Sequence, residues 1–193
     1  MLITPLSEDE LTSLAKAGYL VRPAFLPADT VQHLRAECLN QYTQGQMRAA
    51  GLALSGIQTD IRRDHITWLD EGYASPAQQA YFSAMHALRT QLNEAFYLSM
   101  ASLEAHFAVY NVGDFYQAHV DAPQGRSQRV ISASFYLNEA WSAIDGGALR
   151  LHLPSGVHDV LPRGNTLVLF RSDHVLHEVM PAQRQRLSLT GWL

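Results

Sequence analysis

Arg186-Leu187-Ser188-Leu189-Thr190-Gly191-Trp192 is the stretch that decides the architecture. Successive side chains of a β-strand point to opposite faces. Leu187 and Leu189, continued by Leu193, form an aliphatic face, while Arg186, Ser188, Thr190 and Trp192 form the other. The aliphatic face requires a hydrophobic layer behind it. A guanidinium buried without a partner is strongly unfavourable, so the polar face is expected to line a pocket that holds an anion. The alternative is a half-exposed antiparallel strand with its polar side in water.

Further strands are expected upstream. Phe107 to Tyr110, Val130 to Leu137, Ala148 to Leu153 and Thr166 to Phe170 are short β-prone runs. They are separated by turn signals such as Asp145-Gly146-Gly147, Pro154-Ser155-Gly156 and Pro162-Arg163-Gly164. Helical signals fill the first half. Ser7-Glu8-Asp9-Glu10 reads as a capping box opening a helix that ends near Gly18. Val31, Leu34, Cys38 and Tyr42 mark an amphipathic helix from Ala28 to about Gln44, and Ser75-Pro76 starts a longer one through Phe96. Residues 51–75 read as irregular. The expected fold class is α+β, mainly β: a double-stranded β-helix (jelly roll) with N-terminal helices packed on one outer face. A chain of 193 residues suits one such domain, 1–193, with helical support roughly over 1–100 and the catalytic core roughly over 101–193.

His119-Val120-Asp121 places an imidazole and a carboxylate on one side of an extended segment, where both reach a single ion. A third ligand must come from a distant strand, and His177 is suitably placed, with His174 its competitor. Two histidines and a carboxylate cap one face of iron(II) and leave three positions for chemistry. Arg186, nine residues beyond His177, offers a two-pronged donor suited to a carboxylate. An isolated H-x-D is common by chance, and each of these residues alone has a bland reading. The ordered set within strand-rich sequence points to an oxygenase that uses a 2-oxo acid.

Composition excludes other classes. The formal net charge is −4, and no basic run or aromatic-basic stripe suggests nucleic-acid binding. Cys38 is the only cysteine, which rules out a disulfide framework and a thiolate metal site. No stretch approaches the about 20 apolar residues of a membrane span, and MLITPLSEDEL lacks the regions of a signal peptide. A cytoplasmic location is expected.

The segments YNVGDFYQAHVD (110–121), SFYLNEAW (134–141), DGGALRLH (145–152), FRSDHVLHEVMP (170–181) and RLSLTGW (186–192) resemble the iron(II)- and 2-oxoglutarate-dependent dioxygenases. IRRDHITWLD (61–70) extends the resemblance to the prolyl hydroxylases that act on hypoxia-inducible factor and to their bacterial relatives. The resemblance implies His119, Asp121 and His177 as iron ligands, His177 being preferred because Glu178-Val179 follows it. It implies that Arg186, with Tyr136 and Ser188, holds the distal carboxylate of 2-oxoglutarate, and that Tyr110 lies near the oxalyl end. Arg62, Asp64, Tyr116, Arg129 and Trp192 fall where the family binds its peptide, with Asp64 and Arg129 expected to pair across the groove. Implied cofactors are Fe(II), 2-oxoglutarate and O2, with ascorbate as a reductant. The implied partner is a protein presenting a prolyl residue, a translation factor being the candidate in bacterial relatives.

Trp68 and Trp141 are expected to pack, Arg150 to face outward, and His65, His106, His152 and His158 carry no motif. The same metal chemistry would serve a free amino acid or small metabolite. A jelly-roll sensor holding a metal or anion without turnover is the competing class, and a zinc hydrolase lacks an evident general base beside the metal.

Overall fold

The computed structural model describes residues 4–51, 60–122 and 129–193. Helix α1 (Glu8–Ala17) is opened by Ser7, whose hydroxyl accepts from Glu10 N while the Glu10 carboxylate accepts from Ser7 N. It stops at Gly18, whose φ of 79° is the left-handed conformation that glycine adopts freely. Helix α2 (Ala28–Thr43) and helix α3 (Pro76–Phe96) match the expected amphipathic segments, and Ser75 caps α3 ahead of Pro76.

Eleven strands are found among the described residues: β1 (Tyr19–Pro23), β2 (Arg48–Ala49), β3 (His65–Trp68), β4 (Glu104–Tyr110), β5 (Tyr116–His119), β6 (Ile131–Tyr136), β7 (Leu149–Leu153), β8 (Gly156–Val160), β9 (Thr166–Arg171), β10 (Leu176–Val179) and β11 (Arg186–Trp192). They form an antiparallel sheet in the order β1-β9-β6-β11-β4-β3-β2 and a smaller one in the order β5-β10-β7-β8. Helices α2 and α3 cover the outer face of the larger sheet. Leu34, Cys38, Tyr81, Met85, Leu88 and Leu92 pack there against Phe107, Phe135, Leu167, Leu169, Leu187 and Leu189. Gly191 sits on this face, where the Tyr81 hydroxyl would lie 3.3 Å from an added Cβ. A second layer, with Leu149, Leu151, Val168 and Phe170, lies between the sheets. The leucine and polar faces of β11 therefore separate as their alternation predicts.

Strands join the helices in the first half, and one expectation about it is corrected. Residues 1–100 do more than support the core, because β1 and β3 pair in register with β9 and β4. Part of the expected irregular stretch, His65–Trp68, is strand; residues 52–59 of that stretch lie outside the described residues. Both strands are short and mix charged or polar residues with apolar ones. Their conformation is dictated by the neighbouring strand's hydrogen-bonding edge, which local periodicity does not report.

Candidate active site

The small sheet and β11 face each other across a cavity of about 560 Å³. His119 ends β5, and His177 on β10 is its direct cross-strand partner. Asp121 lies two residues beyond β5, and the neighbouring turn is fixed by a hydrogen bond from Ala122 N to Ser172 O of 3.0 Å. One ligand atom from each of His119, Asp121 and His177 lies within 4.8 Å of the others, the only such cluster among the described residues. His119 Nε2 is 3.3 Å from Asp121 Oδ1, and His177 Nε2 is 3.6 Å from Asp121 Oδ2.

The surroundings of these side chains prepare them for a metal. His119 Nδ1 lies 2.8 Å from Gln117 O, and His177 Nδ1 lies 3.0 Å from Val175 O. A carbonyl only accepts, so each Nδ1 carries the proton and each Nε2 presents its lone pair to the site. Asp121 Oδ2 accepts from Ser132 Oγ at 2.6 Å and from Trp192 Nε1 at 2.9 Å, leaving Oδ1 for an ion. Burial works against ionisation of Asp121, but the hydrogen bonds and the adjacent imidazoles win and hold its pKa well below the usual carboxylate range. Burial pushes His177 down to about 4, against the pull of Asp121, so its imidazole is neutral at physiological pH. The donor set fits iron(II). His174, by contrast, is exposed, bound to Asp173 at 2.6 Å, and does not line the cavity.

Arg186 is buried at the inner end of the same cavity, with 2% of its surface exposed. Its Nε donates to Gly147 O at 3.0 Å and its Nη1 to Ser188 Oγ at 3.3 Å. The rings of Tyr110 and Tyr136 each lie 5.1 Å from the guanidinium carbon. None of these described partners is a carboxylate. The Tyr136 hydroxyl is buried and makes no hydrogen bond among the described residues. Burial pushes Tyr136 up to about 12, with Arg186 opposing, and pushes Tyr110 well above its ordinary value, so both phenols are donors. A buried cation and an orphaned donor beside it fit the carboxylate of a 2-oxo acid. Gly147, at φ 67°, is required here: an added Cβ would fall 3.3 Å from Arg186 Cδ and 2.9 Å from Ala182 Cβ.

Arg62, Tyr116, Arg129 and Trp192 line the cavity, and Asp64 lies buried, bonded to Arg62. The expected pairing of Asp64 with Arg129 is corrected. Asp64 accepts two hydrogen bonds from Arg62, of 2.8 and 2.6 Å, while Arg129 pairs with Glu104 at 2.6 Å and lies 3.9 Å over the Trp192 ring. Partner choice follows the register of β3 on β4, which sequence alone does not contain. Trp68 is corrected as well: it is 52% exposed and lines the cavity. Trp141 does pack, with its indole N–H on Gly146 O, and Arg150 faces outward to Asp159. His106, which no motif singles out, lines the cavity, buried, with ring centroids 4.9 Å from Trp68 and 5.4 Å from Trp192. Alternation against Phe107 and Val109 would have placed it on the pocket face.

Residues 105–193 match the 2OG-Fe(II) oxygenase superfamily. A crystal structure of a Pseudomonas putida prolyl-4-hydroxylase is 42% identical, with a TM-score of 0.89 over 96% of this chain and 97% of that one. A Trichoplax adhaerens prolyl hydroxylase, solved with a peptide fragment of the hypoxia-inducible factor oxygen degradation domain, is 26% identical, with a TM-score of 0.79 over 95% of this chain and 86% of that one. The hypoxia-inducible factor prolyl hydroxylase of Caenorhabditis elegans is 31% identical over 97% of this chain, which spans 28% of that protein's length.

Proposed function

We propose, on the premise that this chain belongs to the 2OG-Fe(II) oxygenase superfamily, that it hydroxylates a prolyl residue in a protein, with succinate and carbon dioxide as co-products. The observation that carries this reading is one cavity holding both the His119, Asp121, His177 cluster and the buried Arg186 guanidinium. A metal-binding sensor has no need of the second. The likeness to prolyl hydroxylases, one of them solved with a peptide, supports the substrate class.

Ferrous iron on the three ligands supplies the redox chemistry with O2 and 2-oxoglutarate. The protein supplies binding and orientation. Arg186 and the Tyr136 hydroxyl bind the distal carboxylate, Ser188 steadies the guanidinium, and Tyr110 donates toward the oxalyl end. Ser132 and Trp192 hold Asp121 Oδ2, so this ligand presents one oxygen. Trp68, His106 and Trp192 form an aromatic wall against which a pyrrolidine ring and its flanking residues pack, excluding water from the reacting C–H bond. Arg62 and Arg129 line the cavity, where they would contact the peptide backbone.

A translation factor is the first candidate substrate, acting in the cytoplasm, with ascorbate as the accessory reductant. No helix among the described residues is long and apolar enough to cross a membrane. The test is incubation of candidate proteins with the enzyme, iron(II), 2-oxoglutarate and ascorbate, followed by peptide mass spectrometry. One added oxygen on a proline, absent with His119→Ala, is the expected result. Succinate release with amino acids or metabolites but with no protein would overturn the substrate assignment.

A further inference from the structure

Arg62 belongs to the rim of the cavity, but its tightest contacts are within the protein. The segment 60–64 runs beside β5, the edge strand of the small sheet. Arg63 N donates to Phe115 O at 3.1 Å, Gln117 N to Ile61 O at 2.8 Å, and the Gln117 side chain to Asp60 O at 2.7 Å. Gln117 is the residue whose carbonyl accepts from His119 Nδ1. The backbone support of that ligand therefore comes from this strap on one side and from β10 on the other.

The side chains make a second connection. Asp64, its side chain fully buried, grips Arg62 through two hydrogen bonds. A planar guanidinium held at two points cannot slide or rotate freely. It lies 4.3 Å from the centroid of the Tyr116 ring. Tyr116 in turn stacks on the His119 imidazole, at 3.7 Å between centroids and 17° between planes. His119 needs such support more than the other two ligands: its side chain is 20% exposed, against 9% for Asp121 and 6% for His177.

We propose that Arg62 is a positioning residue for the metal centre, acting through Tyr116 to hold the His119 ring in its ligating orientation. The inference rests on the reading of His119, Asp121 and His177 as the iron site. It predicts that loss of the guanidinium weakens metal binding before any substrate is present. A role confined to peptide contact predicts no such effect.

The test is titration of the metal-free full chain with Mn(II), alone, followed by electron paramagnetic resonance. The wild-type protein is expected to bind one ion, and His177→Ala to lose it. Arg62→Met is expected to weaken that binding by about 10- to 100-fold, the range for partners that orient a ligand. Tyr116→Leu should weaken it similarly, while Tyr116→Phe, which keeps the stacked ring, should bind as wild type. Asp64→Asn, nearly isosteric, loosens the same guanidinium and serves if Arg62→Met does not fold. Arg150→Met, on the outer face, should leave the affinity unchanged. Wild-type affinity in both Arg62→Met and Tyr116→Leu would overturn this inference and leave the iron site standing. Absence of a wild-type Mn(II) site sensitive to His177→Ala would overturn both.

Discussion

Arg186→Met separates the cost of burying a cation from its use. In the unliganded protein the guanidinium has neutral partners, the Gly147 carbonyl and the Ser188 hydroxyl, and is 2% exposed. Removing it leaves two acceptors short, at about 1–3 kcal/mol each. It also relieves a buried charge whose desolvation costs several kcal/mol. The two roughly cancel, so the unliganded Tm is expected to stay nearly level. Ligand binding moves the other way. Breaking a buried, hydrogen-bonded charge pair with the 2-oxo acid costs about 3–5 kcal/mol, a weakening of roughly 150- to 5,000-fold. At 2-oxoglutarate near 100 times the wild-type Kd, linkage gives about 2.7 kcal/mol of stabilisation to wild type and below about 0.3 to the variant. For a domain of this size that is about 5–11 °C against about 1 °C or less. The assay is thermal unfolding of the Mn(II)-loaded, oxygen-free protein with and without 2-oxoglutarate. A wild-type ligand shift in Arg186→Met would refute the anion assignment, and a steep fall in its unliganded Tm would refute the buried-charge argument.

Other outcomes follow from the same geometry. Tyr136→Phe removes a hydroxyl without a described partner, so unliganded stability should not fall, while the KM for 2-oxoglutarate rises by about 2- to 10-fold for one lost hydrogen bond. Equal KM values would place the cosubstrate elsewhere. His177→Ala should abolish one-to-one iron binding and His174→Ala should not, checked by metal analysis after gel filtration. Burial pushes His106 down to about 4, below the ordinary value near 6.5, so the folded state holds fewer protons in that window. Its contribution to stability is intact above about pH 6.5 and is lost as pH falls toward about 4, at up to about 1.4 kcal/mol per pH unit. His106→Phe should reduce the slope of urea-unfolding midpoints against pH across that range, His177 supplying the remainder, and an unchanged slope would show that protonation of His106 costs the fold nothing.

Much of this is legible in the amino-acid sequence. The two faces of β11, the capping box of Ser7 and Glu10, the Ser75-Pro76 start of α3 and the H-x-D pair obey rules spanning a few residues. Such rules arise from backbone sterics and side-chain direction, and they act wherever the chain is. Strands β1, β2, β3 and β8 are not legible in this way, because their conformation is enforced by neighbours across the sheet. In β5 and β10 the residues that line the cavity, Tyr116, His119 and His177, are polar or aromatic where a core strand would carry aliphatic ones, so these strands show only through the spacing of the expected ligands.

The sequence by itself determined the layering of the molecule and the chemical kinds present at its site: two imidazoles, a carboxylate and an arginine on a polar strand face. Only the tertiary structure decided which groups meet. It paired Asp64 with Arg62 and Arg129 with Glu104, brought His106 against Trp68 and Trp192, and turned His174 to solvent while His177 faced His119. Periodicity is a local property of the backbone. An ion pair or a stacked ring, by contrast, depends on distances of a few ångströms between segments far apart in the chain. Those distances are set by strand register and by the turn beyond β5.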